Sequence, residues 1–174
     1  MATRTNTAMA ALALLAAGCD RAQRIPASDP PAAPGETTVH VAHPAALSRL
    51  VAGFHRRDND EWRWTKREFS IILDRPRGAA EHGAILVLRF DLPEPSLAIL
   101  KSVNLSAAAG GVALPAQSYD HPGQWTYRQQ VPAEAFQYDT LRVDFALDKA
   151  IPPGADSREL GILVTTVGLE AART

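Results

Sequence analysis

The chain has one cysteine in 174 residues, Cys19, so whatever folds behind it has no disulfide, no thiolate metal site and no thiol nucleophile. No stretch approaches the roughly 20 apolar residues that a membrane-spanning helix needs; the apolar run Ala8–Ala17 has ten. The formal charge is only −1 and no dense Lys/Arg run occurs, which argues against a nucleic-acid partner. Gly-x-Ser-x-Gly, the Walker A lysine motif and Gly-x-Gly-x-x-Gly are all missing. His40, His43 and His55 do not have zinc-site spacing, and Asp58-Asn59-Asp60-Glu61 lacks the alternating ligands and glycine of a calcium loop. No metal and no cofactor is therefore expected, and the acidic run reads as a solvated loop. Among enzymes, a glycoside hydrolase stays open, because it needs only two carboxylates and the chain holds 19 acids.

What is present begins at the N-terminus. Arg4 is the one charged residue before the Ala8–Ala17 run, and Ala17-Gly18 precede Cys19. A short positive region, a short apolar region and small residues at a cut site make a signal peptide. Small residues directly before a cysteine resemble the bacterial lipobox, with Ala16 where leucine is favoured. The resemblance implies a diacylglyceryl group on the Cys19 sulfur and cleavage that makes Cys19 the new N-terminus. Fatty acyl chains such as palmitate then hold the protein on a bilayer, each buried CH₂ contributing about 0.8 kcal/mol. The expected place is the periplasmic face of a membrane or the cell surface, with Asp20, which resembles an inner-membrane retention signal, favouring the inner membrane. Loss of Arg4 with residues 1–18 takes the formal charge from −1 to −2.

Residues 19–35 carry Pro26, Pro30, Pro31 and Pro34 among Ala, Ser and Asp. Such a segment buries too little surface to fold and serves as an extended tether. Residues 36–174 are the size of one domain. Short β-rich runs fill it: Thr37–Val41, Glu61–Thr65, Glu68–Leu73, Ala84–Leu92, Val103–Ala107, Gln124–Val131, Leu141–Leu147 and Gly161–Leu169. In Leu141–Leu147 the apolar residues alternate with Arg142 and Asp144, as on a half-solvated strand. Ala45–Phe54 reads as a helical turn or two ended at Gly53. Turn signals such as Gly110-Gly111 and His121-Pro122-Gly123 divide the runs. The expected fold is all-β: a jelly-roll-like antiparallel β-sandwich of about eight strands.

Three stretches stand out from scaffold: Gly53-Phe54-His55 followed by Glu61-Trp62-Arg63-Trp64-Thr65, then Gly123-Gln124-Trp125-Thr126-Tyr127, then Asp156-Ser157-Arg158-Glu159-Leu160-Gly161. Together they resemble the small β-sandwich domain found alone or appended to bacterial glycosyltransferases of surface polysaccharides. There a Gly-aromatic pair, an Arg-Trp-Thr strand and a late Arg-x-Leu-Gly recur in this order. The resemblance implies a jelly-roll-like fold and an accessory role near envelope glycans, with no catalytic residues.

Physically, Trp62 and Trp64 sit two apart and share one face of a strand, with Arg63 and Thr65 on the other. Paired indoles either form a platform for a sugar ring or supply core bulk, and Trp125 with Tyr127 poses the same alternative. Arg63 and Arg158 either pin a loop through Glu61, Asp156 or Glu159, or bind sugar hydroxyls with a planar fork. The candidate ligand residues are thus Trp62, Arg63, Trp64, Trp125, Tyr127 and Arg158. The expected function is a membrane-anchored, non-catalytic module for envelope carbohydrate. The alternatives are a structural or protein-docking lipoprotein and a carboxylate-dependent glycoside hydrolase.

Overall fold

The computed structural model of the chain describes residues 36–172. The expected signal segment 1–18, Cys19 and the tether through residue 35 lie outside the described residues. No helix among the described residues is long and apolar enough to cross a membrane.

The described residues form an all-β antiparallel sandwich of nine strands: β1 Glu36–His40, β2 Leu50–Phe54, β3 Arg63–Asp74, β4 Ala84–Leu92, β5 Val103–Ala109, β6 Val112–Tyr119, β7 Gly123–Val131, β8 Thr140–Leu147 and β9 Leu163–Ala171. One sheet runs β7-β4-β9, with β1 and the first residues of β3 on the far side of β9. The other runs β6-β5-β8-β3-β2. Strand β3 belongs to both, because Arg63 and Trp64 pair with β9 while Glu68–Asp74 pair with β8. Hydrogen bonding therefore passes from one layer to the other without a break, and the β6–β7 connection joins the two outer ends into a near-barrel.

The core follows from alternation. Leu141, Val143, Phe145 and Leu147 of β8 are buried, and so are Val103, Leu105, Ala107 and Ala109 of β5. Their inward side chains meet those of the opposing sheet. Phe69 stacks on Phe145 with ring centroids 4.9 Å apart, and Tyr127 meets the same Phe145 ring edge-on at 6.5 Å. Strand β4 is central in its sheet, which explains why its start is apolar on both faces: Leu86, Val87 and Leu88 are all buried.

Several expectations change. Arg63–Thr65 of the expected Glu61–Thr65 run and Glu68–Leu73 are parts of one long strand, since nothing between them breaks extended backbone, whereas Glu61 and Trp62 precede it. Ala45–Phe54 is helical only as a 3-10 turn over Pro44–Ser48, and Leu50–Phe54 is a strand. There Gly53 is not a helix stop. It has φ +75°, and a Cβ on it would lie 2.0 Å from the Glu68 carbonyl oxygen of the neighbouring strand. Strand β6 was not expected, because Pro115 lowers its strand signal; at a sheet edge proline costs no ladder bond. Two short helices, α1 Ala79–His82 and α2 Glu94–Leu100, occupy stretches that read as turns.

Candidate functional site

The residues of the Gly-aromatic, Arg-Trp-Thr and Arg-x-Leu-Gly stretches, far apart in sequence, converge on the first half of β3. The His55 N–H donates to the Trp64 carbonyl at 2.9 Å, and the Gly161 N–H donates to the Thr65 carbonyl at 2.7 Å. Arg63 is 5% exposed, and its guanidinium donates to the carbonyls of Val41 (2.6 Å) and His55 (3.0 Å). Burial lowers its pKa, the positive charge of nearby Arg57 adding to the effect. Arg63 is thus a structural fastener that uses carbonyls, where a carboxylate partner was expected, and it presents nothing to a ligand. Gly161 is required by contact: a Cβ there would lie 2.6 Å from the Lys66 carbonyl oxygen.

The aromatic pairs divide. Tyr127 is fully buried and its hydroxyl donates to the Pro115 carbonyl at 2.8 Å. Burial pushes its phenol up to about 12. As a candidate ligand residue Tyr127 is therefore corrected to core. Trp125 is half-buried, packs edge-on against Tyr119 at 5.1 Å and donates its indole N–H to the His121 carbonyl at 2.9 Å. Trp62 and Trp64 are half-buried and meet edge to face, 6.3 Å between centroids and 81° between planes. They form a corner rather than a flat platform.

Arg158 lies elsewhere in chemistry. Its Nη2 donates to Asp156 at 2.8 Å and its Nη1 to Asp58 at 3.0 Å. Asp156 was a foreseen partner; Asp58 comes from the run read as a solvated loop. The Arg158 hydrogen bonds, and its charge, hold the Asp156 carboxyl down to about 2.

Trp62, Arg63, Trp64, Trp125, Tyr127 and Arg158 all lie outside the lining of an open groove of about 1100 Å³ on the outer face of the β6-β5-β8-β3-β2 sheet. Register explains its floor. Ala52, Ser70, Asp144, Ala108 and Ala113 are successive neighbours across β2, β3, β8, β5 and β6. Five strands at about 4.8 Å spacing make a floor about 19 Å long. Beside that row, Glu68, Ala146 and Ser106 form a second. Alanine and serine raise no relief, so the backbone surface itself is the bed. Arg142 stands in the middle, donating to Asp144 at 2.8 Å and, through Nη2, to the Ser70 hydroxyl at 3.5 Å.

The upper wall is the connection between β8 and β9, residues 148–162, which contributes Asp148, Lys149, Pro152, Pro153 and Glu159. Its base is bolted down: Lys149 Nζ donates to the Leu100 carbonyl at 2.7 Å, and the Asp148 carboxylate accepts from the Asn104 N–H at 2.7 Å. Glu159 accepts from the Arg67 N–H at 2.7 Å. Among the described residues there is no cluster of three or more His, Cys, Asp or Glu side chains that would hold a metal ion.

No family model and no curated protein matches the chain. In chain path it is similar to the CBM36-1 domain of a multidomain xylanase from the hindgut metagenome of Trinervitermes trinervoides, with a TM-score of 0.43 and 10% identity over 80% of this chain and 99% of that one. It is also similar to a CBM4 structure, with a TM-score of 0.31 and 12% identity over 83% and 88% of the two chains.

The groove residues were missed by sequence reasoning. Alanines and serines carry no motif, and the available signal was weak: Ser106 and Ala108 on β5 are small for solvent-facing strand positions.

Proposed function

We propose that the chain is a non-catalytic envelope module that holds a polysaccharide chain in the groove on the β6-β5-β8-β3-β2 sheet. The observation that carries this reading is the floor: two rows made mostly of alanine and serine crossing the strands, with the Ser106, Arg142 and Asp144 side chains able to hydrogen-bond hydroxyls. An extended polymer lies flat on such a bed where a bulky compact ligand finds little enclosure. Each groove carboxylate has a partner: Asp144 accepts from Arg142, Asp148 from Asn104, Glu159 from the Arg67 N–H and Glu68 from the Arg67 guanidinium. Trp64 belongs to this proposal as a flanking aromatic contact, with Trp62 packed edge-on against it, because strand alternation puts Trp64 on the same side of β3 as Lys66 and Glu68.

The test uses the whole chain, purified in mild detergent, against soluble xylan, amylose, dextran and alginate. Ala108→Trp and Ala146→Trp fill the floor without entering the core, so both fold, and binding seen with the wild type is expected to vanish. Binding that persists in both variants refutes the groove. No binding by the wild type turns the reading to a protein-docking lipoprotein.

The same proposal has the module anchored through lipid on Cys19. Mass spectrometry of the membrane-bound chain is expected to show an N-terminal diacylglyceryl cysteine. Cys19→Ala is expected to leave the chain unlipidated, and an unmodified Cys19 in the mature wild type would overturn the anchor.

A further inference from the structure

The wall of the groove is fastened unevenly. At its root, Ile151 and Leu160 exchange hydrogen bonds of 2.8 and 2.9 Å, and Gly161 is tied to Thr65. Beyond that bridge the tip, residues 152–158, projects with Pro152 and Pro153 facing the groove. Among the described residues, every hydrogen bond of the tip that leaves the 148–162 segment goes to the Asp58 carboxylate, from Arg158 Nη1 at 3.0 and 3.2 Å. The other side of the same guanidinium closes the tip on itself through Asp156, at 2.8 to 3.2 Å. Asp58 is itself presented by an ordered turn, in which the Asn59 side-chain oxygen accepts from the N–H groups of Glu61 (2.9 Å) and Trp62 (3.1 Å).

We propose that Arg158 is the positioning residue of the binding groove: by bridging Asp58 and Asp156 it holds the Pro152–Arg158 tip as the upper wall against which a bound polymer lies. The assignment rests on the groove reading above. A planar fork can serve two carboxylates at once, which an ammonium cannot do with the same geometry. Arg158, Asp58 and Asp156 keep 31%, 41% and 39% of their side-chain surface, so the clamp is wet and its strength is modest. It suits a wall that must hold its place yet let a chain in and out.

The experiment compares wild type, Arg158→Ala, Arg158→Lys and Asp58→Asn in the whole chain. Amide hydrogen exchange is read at residues 154–158 and polymer affinity on xylan, amylose, dextran and alginate. In Arg158→Ala and Asp58→Asn the tip amides are expected to exchange about tenfold faster while β3 and β8 are unchanged, and affinity is expected to fall about fivefold. Arg158→Lys is expected to recover part of both. Unchanged tip exchange in Arg158→Ala overturns the clamp. Faster exchange with unchanged affinity overturns the positioning role while leaving the groove reading intact, provided Ala146→Trp still abolishes binding. Binding that survives Ala146→Trp defeats the groove reading and the positioning role with it.

Discussion

Two pairs of aromatic residues share one spacing and have opposite fates. Trp62 and Trp64 frame Arg63; Trp125 and Tyr127 frame Thr126. In both pairs a spacing of two in extended backbone puts the two rings on a common side, Trp62 lying directly before the start of β3. In β7 that face is inward: Tyr127 is fully buried against Phe145, and Trp125 leans on Tyr119. In β3 the inward face belongs instead to Arg63 and Thr65, which are 5% and 0% exposed, and the indoles are turned outward. The difference teaches that a period of two says which residues travel together and leaves open which way they face. A polar side chain wins the inner face when its hydrogen bonds are waiting there. Arg63 finds the Val41 and His55 carbonyls, and the Thr65 hydroxyl accepts from the Ile162 N–H at 3.1 Å.

The contrast can be broken most severely at Tyr127. Tyr127→Ala is expected to cost about 3–5 kcal/mol in urea unfolding, as large-to-small changes at a packed ring do. A cost under 1 kcal/mol would mean that the inner face of β7 is not the tightly packed layer described. An alkaline titration sharpens the same point. The Tyr127 phenol has a folded pKa of about 12 against an ordinary 10, and burial also raises that of Tyr119. Above pH 10 the unfolded chain releases these protons first, so stability is fully present below pH 10 and falls as pH rises toward 12. Tyr127→Phe is expected to flatten that limb, at a cost of about 1 kcal/mol for the lost bond to Pro115 at neutral pH. An unaltered limb would place the alkaline sensitivity elsewhere. The outward pair comes last: Trp62→Ala is expected to lower stability by only about 1 kcal/mol, chiefly the edge-to-face contact with Trp64. A loss matching that of Tyr127→Ala would show that both pairs are core after all.

The two arginines repeat the lesson at different depth. Arg63 and Arg158 each sit in a short motif and each was a candidate for pinning or for ligand. Depth separates them: the buried one is satisfied by carbonyls, the half-exposed one by two carboxylates. Asp58, whose role is to receive Arg158, was unreadable because the contact joins residues a hundred positions apart.

Local chemistry alone settled a good deal here. The β-branched and alternating runs, punctuated by Gly and Pro, were enough for an all-β antiparallel sandwich, and Ala84–Leu92 was bounded as β4 from its residues alone. The same local logic led to the expectations for Cys19 and the tether, which concern covalent and compositional features and need no fold. Only the tertiary structure decided which face each strand turns inward, that Arg63–Asp74 is one strand shared by two sheets, and that Ala52, Ser70, Asp144, Ala108 and Ala113 form a continuous floor. The reason is physical. Alternation and turn propensity act between near neighbours in the chain, whereas a groove arises from register between strands whose pairing is set by burial of the whole core.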